Sequence, residues 1–229
     1  KAPTSVQSLL NTEIGIRLSN DMALGETDFE LMGMSGNNVK ILLDGIPLID
    51  RGATKQSLSQ LDVNSIERVE IVEGPMSVVY GTDALAGVIN IITKKGDGYS
   101  EENTWRVGAR VQEESMGKEY DFFKDKGLHN ESIDLGFNHK SGLFVNGGYN
   151  RNNHGGWQGD LTGREKRWHP KDQALMNGMF GFQNRNMNVW YRLDFLDEKI
   201  FGPNNGSELQ PEKVSDKDFL TKRYTHQLQ

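Results

Sequence analysis

Apolar residues follow two different rhythms along this chain. Up to about residue 97 they come in short runs closed by turn residues: Val39-Lys40-Ile41-Leu42-Leu43 before Asp44-Gly45, Arg68-Val69-Glu70-Ile71-Val72 before Gly74-Pro75, and Gly87-Val88-Ile89-Asn90-Ile91-Ile92-Thr93. Short β-branched runs bounded by Gly, Pro and Asp predict strands. Met76 to Tyr80 and Asp83 to Ala86 each have room for one helical turn, and Ser5 to Leu10 predicts a further short helix. From Trp105 onward the rhythm becomes period two. Trp105, Val107, Ala109 and Val111 alternate with polar or small residues, as do Ile133, Leu135 and Phe137, then Leu143, Val145 and Tyr149, then Val189, Tyr191, Leu193 and Phe195. Phe144 breaks the polar side of its strand, Gly178-Phe180-Phe182 is a less regular member, and Phe219 to Gln227 predicts a last strand.

The connections sort by length. His139-Lys140-Ser141-Gly142 and Asn184-Arg185-Asn186-Met187 are tight polar hairpin turns, whereas 113–130, 151–173 and 197–218 run to roughly twenty residues, more than a compact domain usually tolerates. A soluble up-and-down sheet with one wet face explains the alternation but gives no reason for short and long connections to alternate. A membrane-spanning barrel does, with short turns at one end and long loops at the other.

Composition fits that choice. Only 35% of the 229 residues are hydrophobic, and the mean hydropathy is −0.62. No run approaches the roughly 18 apolar residues of a membrane helix, but a barrel strand needs only about 9–11 residues with apolar side chains on alternate positions. A net charge of −6 excludes a nucleic-acid surface built on phosphate neutralisation, and the absence of cysteine excludes disulfides, thiolate metal sites and a cysteine nucleophile. No Gly-x-Ser-x-Gly elbow, His-Glu-x-x-His or phosphate loop is present, so no enzyme is expected. Six strands do not close a barrel around a domain of about 95 residues; a lumen of that size calls for about 22 strands. The expected fold is therefore an α+β domain over 1–97, a small mixed sheet with short helices, followed over 98–229 by antiparallel strands of a transmembrane β-barrel, the N-terminal part of something longer.

Residues 66–94, Ile-Glu-Arg-Val-Glu-Ile-Val-Glu-Gly-Pro-Met-Ser-Val-Val-Tyr-Gly-Thr-Asp-Ala-Leu-Ala-Gly-Val-Ile-Asn-Ile-Ile-Thr-Lys, resemble the plug-domain signature of TonB-dependent outer-membrane receptors. Upstream, Gly33 to Val39 followed by Ile41-Leu42-Leu43-Asp44-Gly45-Ile46-Pro47-Leu48 resembles the preceding strand and its Asp-Gly turn. The chain departs from many siderophore receptors at Leu31-Met32-Gly33 and Val72-Glu73-Gly74-Pro75, where the family often has Ile-Arg-Gly and Val-Arg-Gly-Pro. The plug also reads as short near its start, where the family usually has an extra strand and helix.

The resemblance implies active import of a scarce nutrient across a Gram-negative outer membrane, with the plug inside the barrel lumen. Iron-siderophore or haem come first as ligand and cobalamin next; glycans or peptides under a surface lipoprotein are a further branch, and a barrel adhesin or structural outer-membrane protein is the alternative of another class. The implied partners are TonB with its inner-membrane energising complex and outer-membrane lipid, with no cofactor. Outward plug loops would contact substrate through Asp50, Arg51, Thr54, Lys55 and Gln56, and through Glu26 in a second loop over 21–27. Arg68 and Glu70, two apart on one strand face, would form ion pairs with the barrel wall. No histidine pair has metal-ligand spacing; His154 and His169, in the loop over 151–173, are the haem candidates.

Overall fold

The computed structural model describes residues 6–21, 26–48, 56–96, 102–204 and 215–229. It divides into two compact units, Lys1–Asp21 with Gly25–Lys94, and Met22–Leu24 with Lys95–Gln229.

In the first unit, α1 (Val6–Leu10) precedes β1 (Ile16–Asp21) and β2 (Glu26–Leu31), which pair antiparallel with Ile16 opposite Leu31 and Leu18 opposite Phe29. A two-residue turn with Met32 and Gly33 both at positive φ returns the chain into β3 (Met34–Ser35), completing a three-stranded sheet. The abbreviated reading of this region missed that sheet. The alternation Ile16-x-Leu18 and Phe29-x-Leu31 was its signal, diluted by the polar residues between them.

The second sheet runs in the order β5 (Ile46–Pro47), β4 (Val39–Leu43), β7 (Gly87–Thr93), β6 (Ile66–Glu73). It is mixed: β4 and β7 are parallel, while β5–β4 and β6–β7 are antiparallel. A strand buried on both faces reads as a continuous apolar run, which is why Val88 to Ile92 shows so little polar interruption. Ile89 and Ile91 are fully buried in a core with Val6, Leu10, Leu31, Val39, Ile41 and Leu58. Each such side chain stabilises the fold by roughly 1.5–3 kcal/mol relative to exposure. Between β6 and β7, α2 (Ser77–Tyr80) and a 3₁₀ turn over Thr82–Ala84 carry the chain back, as the short helical segments predict. Gly87 begins β7 at φ +150°, where a Cβ would lie 2.3 Å from the Val72 carbonyl oxygen. Only glycine allows β6 and β7 to meet there.

The second unit is a six-stranded antiparallel meander, each strand paired to its chain neighbours: β8 (Thr104–Glu114), β9 (Leu128–Asn138), β10 (Leu143–His154), β11 (Lys171–Gln183), β12 (Asn188–Gly202) and β13 (Lys217–Leu228). The tight hairpins stand where the turn residues put them. Gly142 N–H donates to the His139 carbonyl (2.8 Å), and Asn184 N–H to the Met187 carbonyl (2.8 Å). The long connections, 115–127, 155–170 and 203–216, are shorter than expected because the strands continue beyond their apolar alternation. Those extensions are polar, so hydropathy alone stops too early. Among the described residues no helix is long and apolar enough to cross a membrane.

Candidate functional site

In the first unit, polar groups gather at the Asp44-Gly45 turn. Asp44 adopts φ +50° and Gly45 φ +84°, the left-handed pair that an Asp-Gly turn supplies. Asp44 is 6% exposed; its carboxylate accepts from the Thr93 backbone N–H (3.0 Å) and from Thr93 Oγ1 (2.6 Å), tying the β4 turn to the end of β7. Gly45 N–H donates to Asn90 Oδ1 (3.0 Å), and Asn90 Nδ2 to Glu70 Oε2 (3.3 Å). Arg68 Nε donates to Glu70 Oε1 (3.0 Å) and Arg68 Nη1 to Glu67 Oε1 (3.0 Å). The Glu70 hydrogen bond is the largest cause that raises the Arg68 pKa. Arg68 and Glu70 are thus brought together as expected of one strand face, and within this unit they pair with each other on an exposed surface. Asp50, Arg51, Thr54 and Lys55 lie outside the described residues. Gln56 opens a 3₁₀ turn over Gln56–Gln60, and Glu26 opens β2 opposite Asp21.

In the second unit, the two faces of the meander carry different chemistry. One face is apolar in successive rows: Trp105, Phe137, Val145, Phe180, Tyr191 and Leu228 are cross-strand neighbours, and so are Ala109, Ile133, Tyr149, Met176, Phe195 and Tyr224. Many of these are exposed, Trp105 at 76% and Leu228 at 74%. The apolar rows run from Phe182 to Met176, six residues on β11. At about 3.3 Å per residue and a tilt near 40°, that height is roughly 15 Å, more than half of the about 25 Å band of a membrane barrel.

The opposite face is polar and includes buried charge. Arg106 Nη2 donates to Asn146 Oδ1 (3.1 Å), and buried Arg192 grips Asp194 through two 2.7 Å bonds. Three rows further along the same face, Asn130 donates to Asn152, Asn152 to Gln173 Oε1 (2.9 Å), and Gln173 Nε2 to Glu198 Oε2 (2.6 Å). Lys171 Nζ closes the row on Glu198 at 3.0 Å. This amide ladder crosses β9 to β12 and is a connected polar surface that sequence reasoning missed. Its signal was a polar residue at matching register on four consecutive strands, legible only once the pairing is known. Phe144, which breaks the polar alternation, packs on this face with Met179 and Trp190.

The loop over 155–170 is folded on itself. Trp157 and Trp168 exchange backbone hydrogen bonds (2.9 and 3.0 Å), and Arg167 holds Asp160 through two bonds of 2.6 and 2.9 Å. That bond keeps the Asp160 carboxyl below its ordinary pKa. His154 ends β10 with its ring against Trp168, centroids 3.8 Å apart, and is 6% exposed. His169 lies beside Gly202, so the two histidines are both packed side chains. Among the described residues no group of three or more His, Asp or Glu is arranged to hold a metal.

A mixed sheet with helical turns, followed by a meander with one apolar face, one polar face and alternating short and long connections, defines the plug-and-barrel class. Residues 1–88 match the TonB-dependent receptor plug domain, and the chain resembles a plug with adjoining barrel strands of such receptors. Over 107 residues it is 33% identical to the ferrienterobactin receptor of Escherichia coli (strain K12), a stretch covering 41% of this chain and 14% of that receptor. Two solved structures share the fold. The siderophore receptor PirA of Acinetobacter baumannii is 20% identical with a TM-score of 0.61, over 90% of this chain and 30% of that one. The copper transporter OprC is 14% identical with a TM-score of 0.70, over 98% of this chain and 33% of that one. The chain therefore spans about a third of these structures.

Proposed function

We propose that this chain forms the plug and adjoining strands of an importer of ferric siderophores in a Gram-negative outer membrane, energised by TonB and its inner-membrane complex. The observation that carries this reading is the 33% identity to a ferrienterobactin receptor over 107 residues, on a fold shared with a siderophore receptor. The apolar face of the meander meets lipid and the polar face, with its amide ladder, lines the lumen. In this reading 1–97 is the plug and 98–229 the barrel portion. The segments holding Asp50, Arg51, Thr54, Lys55 and Gln56, and Glu26 on the neighbouring hairpin, form the floor of the ligand pocket. Arg68 and Glu70 exchange their mutual pair for partners on the barrel wall.

Radio-iron uptake by cells carrying the intact receptor tests this. Uptake of a ferric catecholate siderophore should require both the receptor and TonB, and excess haem or cobalamin should leave it unchanged. Competition by haem or by cobalamin would reassign the ligand, and TonB-independent uptake would overturn the mechanism.

A further inference from the structure

Phe144 interrupts the polar alternation of β10, and the uptake reading gives it no role. Strand pairing sets it in one row with Gly181 of β11 and Trp190 of β12, with Met179 one row further in, opposite Arg192. The three large side chains are buried together, Phe144 at 2%, Met179 at 5% and Trp190 at 1% exposure. Aromatic rings on the polar face of a sheet stay dry only where something covers them.

Part of that cover is the chain that enters the meander. Gly96 lies directly on the Phe144 ring: a Cβ there would stand 2.6 Å from Phe144 Cδ1, 2.7 Å from Cγ and 2.9 Å from Cβ. At the far end of the ring, a Cβ at Gly181 would stand 2.8 Å from Phe144 Cζ. Two glycines thus close on one ring. Lys95 Nζ stands 4.9 Å from the centroid of the Trp190 ring, a cation–π contact. Trp190 Nε1 is buried with no hydrogen-bond partner among the described residues, so this side chain is held by its ring and not by its N–H. One residue before Lys95, the Lys94 N–H donates to the Ser65 carbonyl (2.8 Å), and Thr93 is tied to Asp44. Lys94 ends the first unit and Lys95 begins the main stretch of the second, so the chain passes from one to the other with no slack on either side.

We propose that Phe144, Met179 and Trp190 form a clasp that holds the 95–96 junction on the meander throughout transport, a fixed point about which the plug moves; the inference rests on the importer reading above. A plug drawn from its N-terminal side keeps the end of β7 at the barrel wall, because the residues that follow β7 do not leave Phe144 and Trp190. The chemistry of the contact suits an anchor and not a gate. The Arg68–Glu70 pair is exposed, and an exposed ion pair exchanges partners at little cost. A buried aromatic seat has no such substitute, since opening it returns apolar surface to water and leaves a void behind.

The test is a covalent lock in the intact receptor. This chain has no cysteine, so the double variant Gly96→Cys with Phe144→Cys introduces the one pair that can close here. A Cβ at position 96 lies 2.9 Å from that of Phe144, and a small shift brings the two to the about 3.5–4.5 Å of a disulfide. The disulfide should form in the resting receptor, and oxidised cells should take up a ferric catecholate siderophore as fast as the parent, with Gly96→Ser plus Phe144→Ser as the control for loss of the ring. Separately, Gly96→Val should push the junction off Phe144 and raise hydroxyl-radical oxidation of Met179 and Trp190 roughly tenfold, because oxidation follows exposure. Heat-modifiable migration should show that this variant folds. Failure of the disulfide to form, uptake lost on oxidation and recovered on reduction, or unchanged oxidation of Met179 and Trp190 in Gly96→Val would overturn the clasp. Absence of uptake by the parent receptor would instead overturn the importer reading, and the Gly96→Val footprint then still decides the clasp.

Discussion

Replacing Asp44 by alanine removes the joint between the β4 turn and the end of β7. The carboxylate accepts two hydrogen bonds from Thr93, one from the backbone and one from the hydroxyl, and Thr93 is fully buried. A hydrogen bond to a charged group contributes about 1.5–3 kcal/mol, and a buried donor left unpaired costs about 1–3 kcal/mol. Alanine also sits poorly at φ +50°, which costs a further 1 kcal/mol or so. These contributions overlap, and a net loss of about 3–4 kcal/mol is expected. At about 1.4 kcal/mol per factor of ten, amide protection along β7 in the intact receptor should fall by about 10²–10³ in hydrogen exchange. Asp44→Asn keeps an acceptor for the Thr93 N–H and tolerates positive φ, so its loss should be smaller, about 1–2 kcal/mol. Thr93→Val removes the hydroxyl half of that contact from the other side and keeps the backbone half, so the double variant should lose less than the sum of the singles. Unchanged protection in Asp44→Ala, or strict additivity with Thr93→Val, would refute the assignment of this pair as the joint.

Other outcomes follow from the same geometry. Gly87→Ala places a Cβ 2.3 Å from the Val72 carbonyl and should cost well over 1 kcal/mol, read as protease cleavage within the plug of the intact receptor at lower denaturant. Gln173→Leu removes one hydrogen bond from Asn152 and one from buried Glu198, which keeps Lys171, and should cost about 1–3 kcal/mol, read as a lower temperature for loss of the folded, heat-modifiable species. Asp216 is held below its ordinary pKa first by its hydrogen bond from Arg164 and then by the Asn204 N–H. A depressed carboxyl stabilises the folded state above its unfolded pKa near 3.9 and loses that contribution as pH falls through the lower folded value. Exchange at the Asn204 amide should therefore rise only below about pH 4, and Arg164→Ala should move that rise to higher pH.

The sequence by itself determined which residues alternate, and with them the two-part organisation. β4, β6 and β7 were legible because a doubly buried strand needs an unbroken β-branched run, and Asp44-Gly45, Gly74 and Gly87 mark where such runs must turn or approach. The hairpins at 139–142 and 184–187 were legible from turn chemistry, and the strands beside them from period two. The β1–β2 hairpin was not, because its apolar positions are few and a short edge pair leaves little pattern. The tertiary structure alone decided what depends on register. Asn130, Asn152, Gln173 and Glu198 are unremarkable polar residues until the pairing of β9 to β12 stacks them into one ladder. Phe144, Gly181 and Gly96 come together only because strand pairing sets Phe144 opposite Gly181 and the junction before β8 reaches across to β10. Local preference fixes where a strand begins; contacts between residues far apart in the chain fix which side chains share a site.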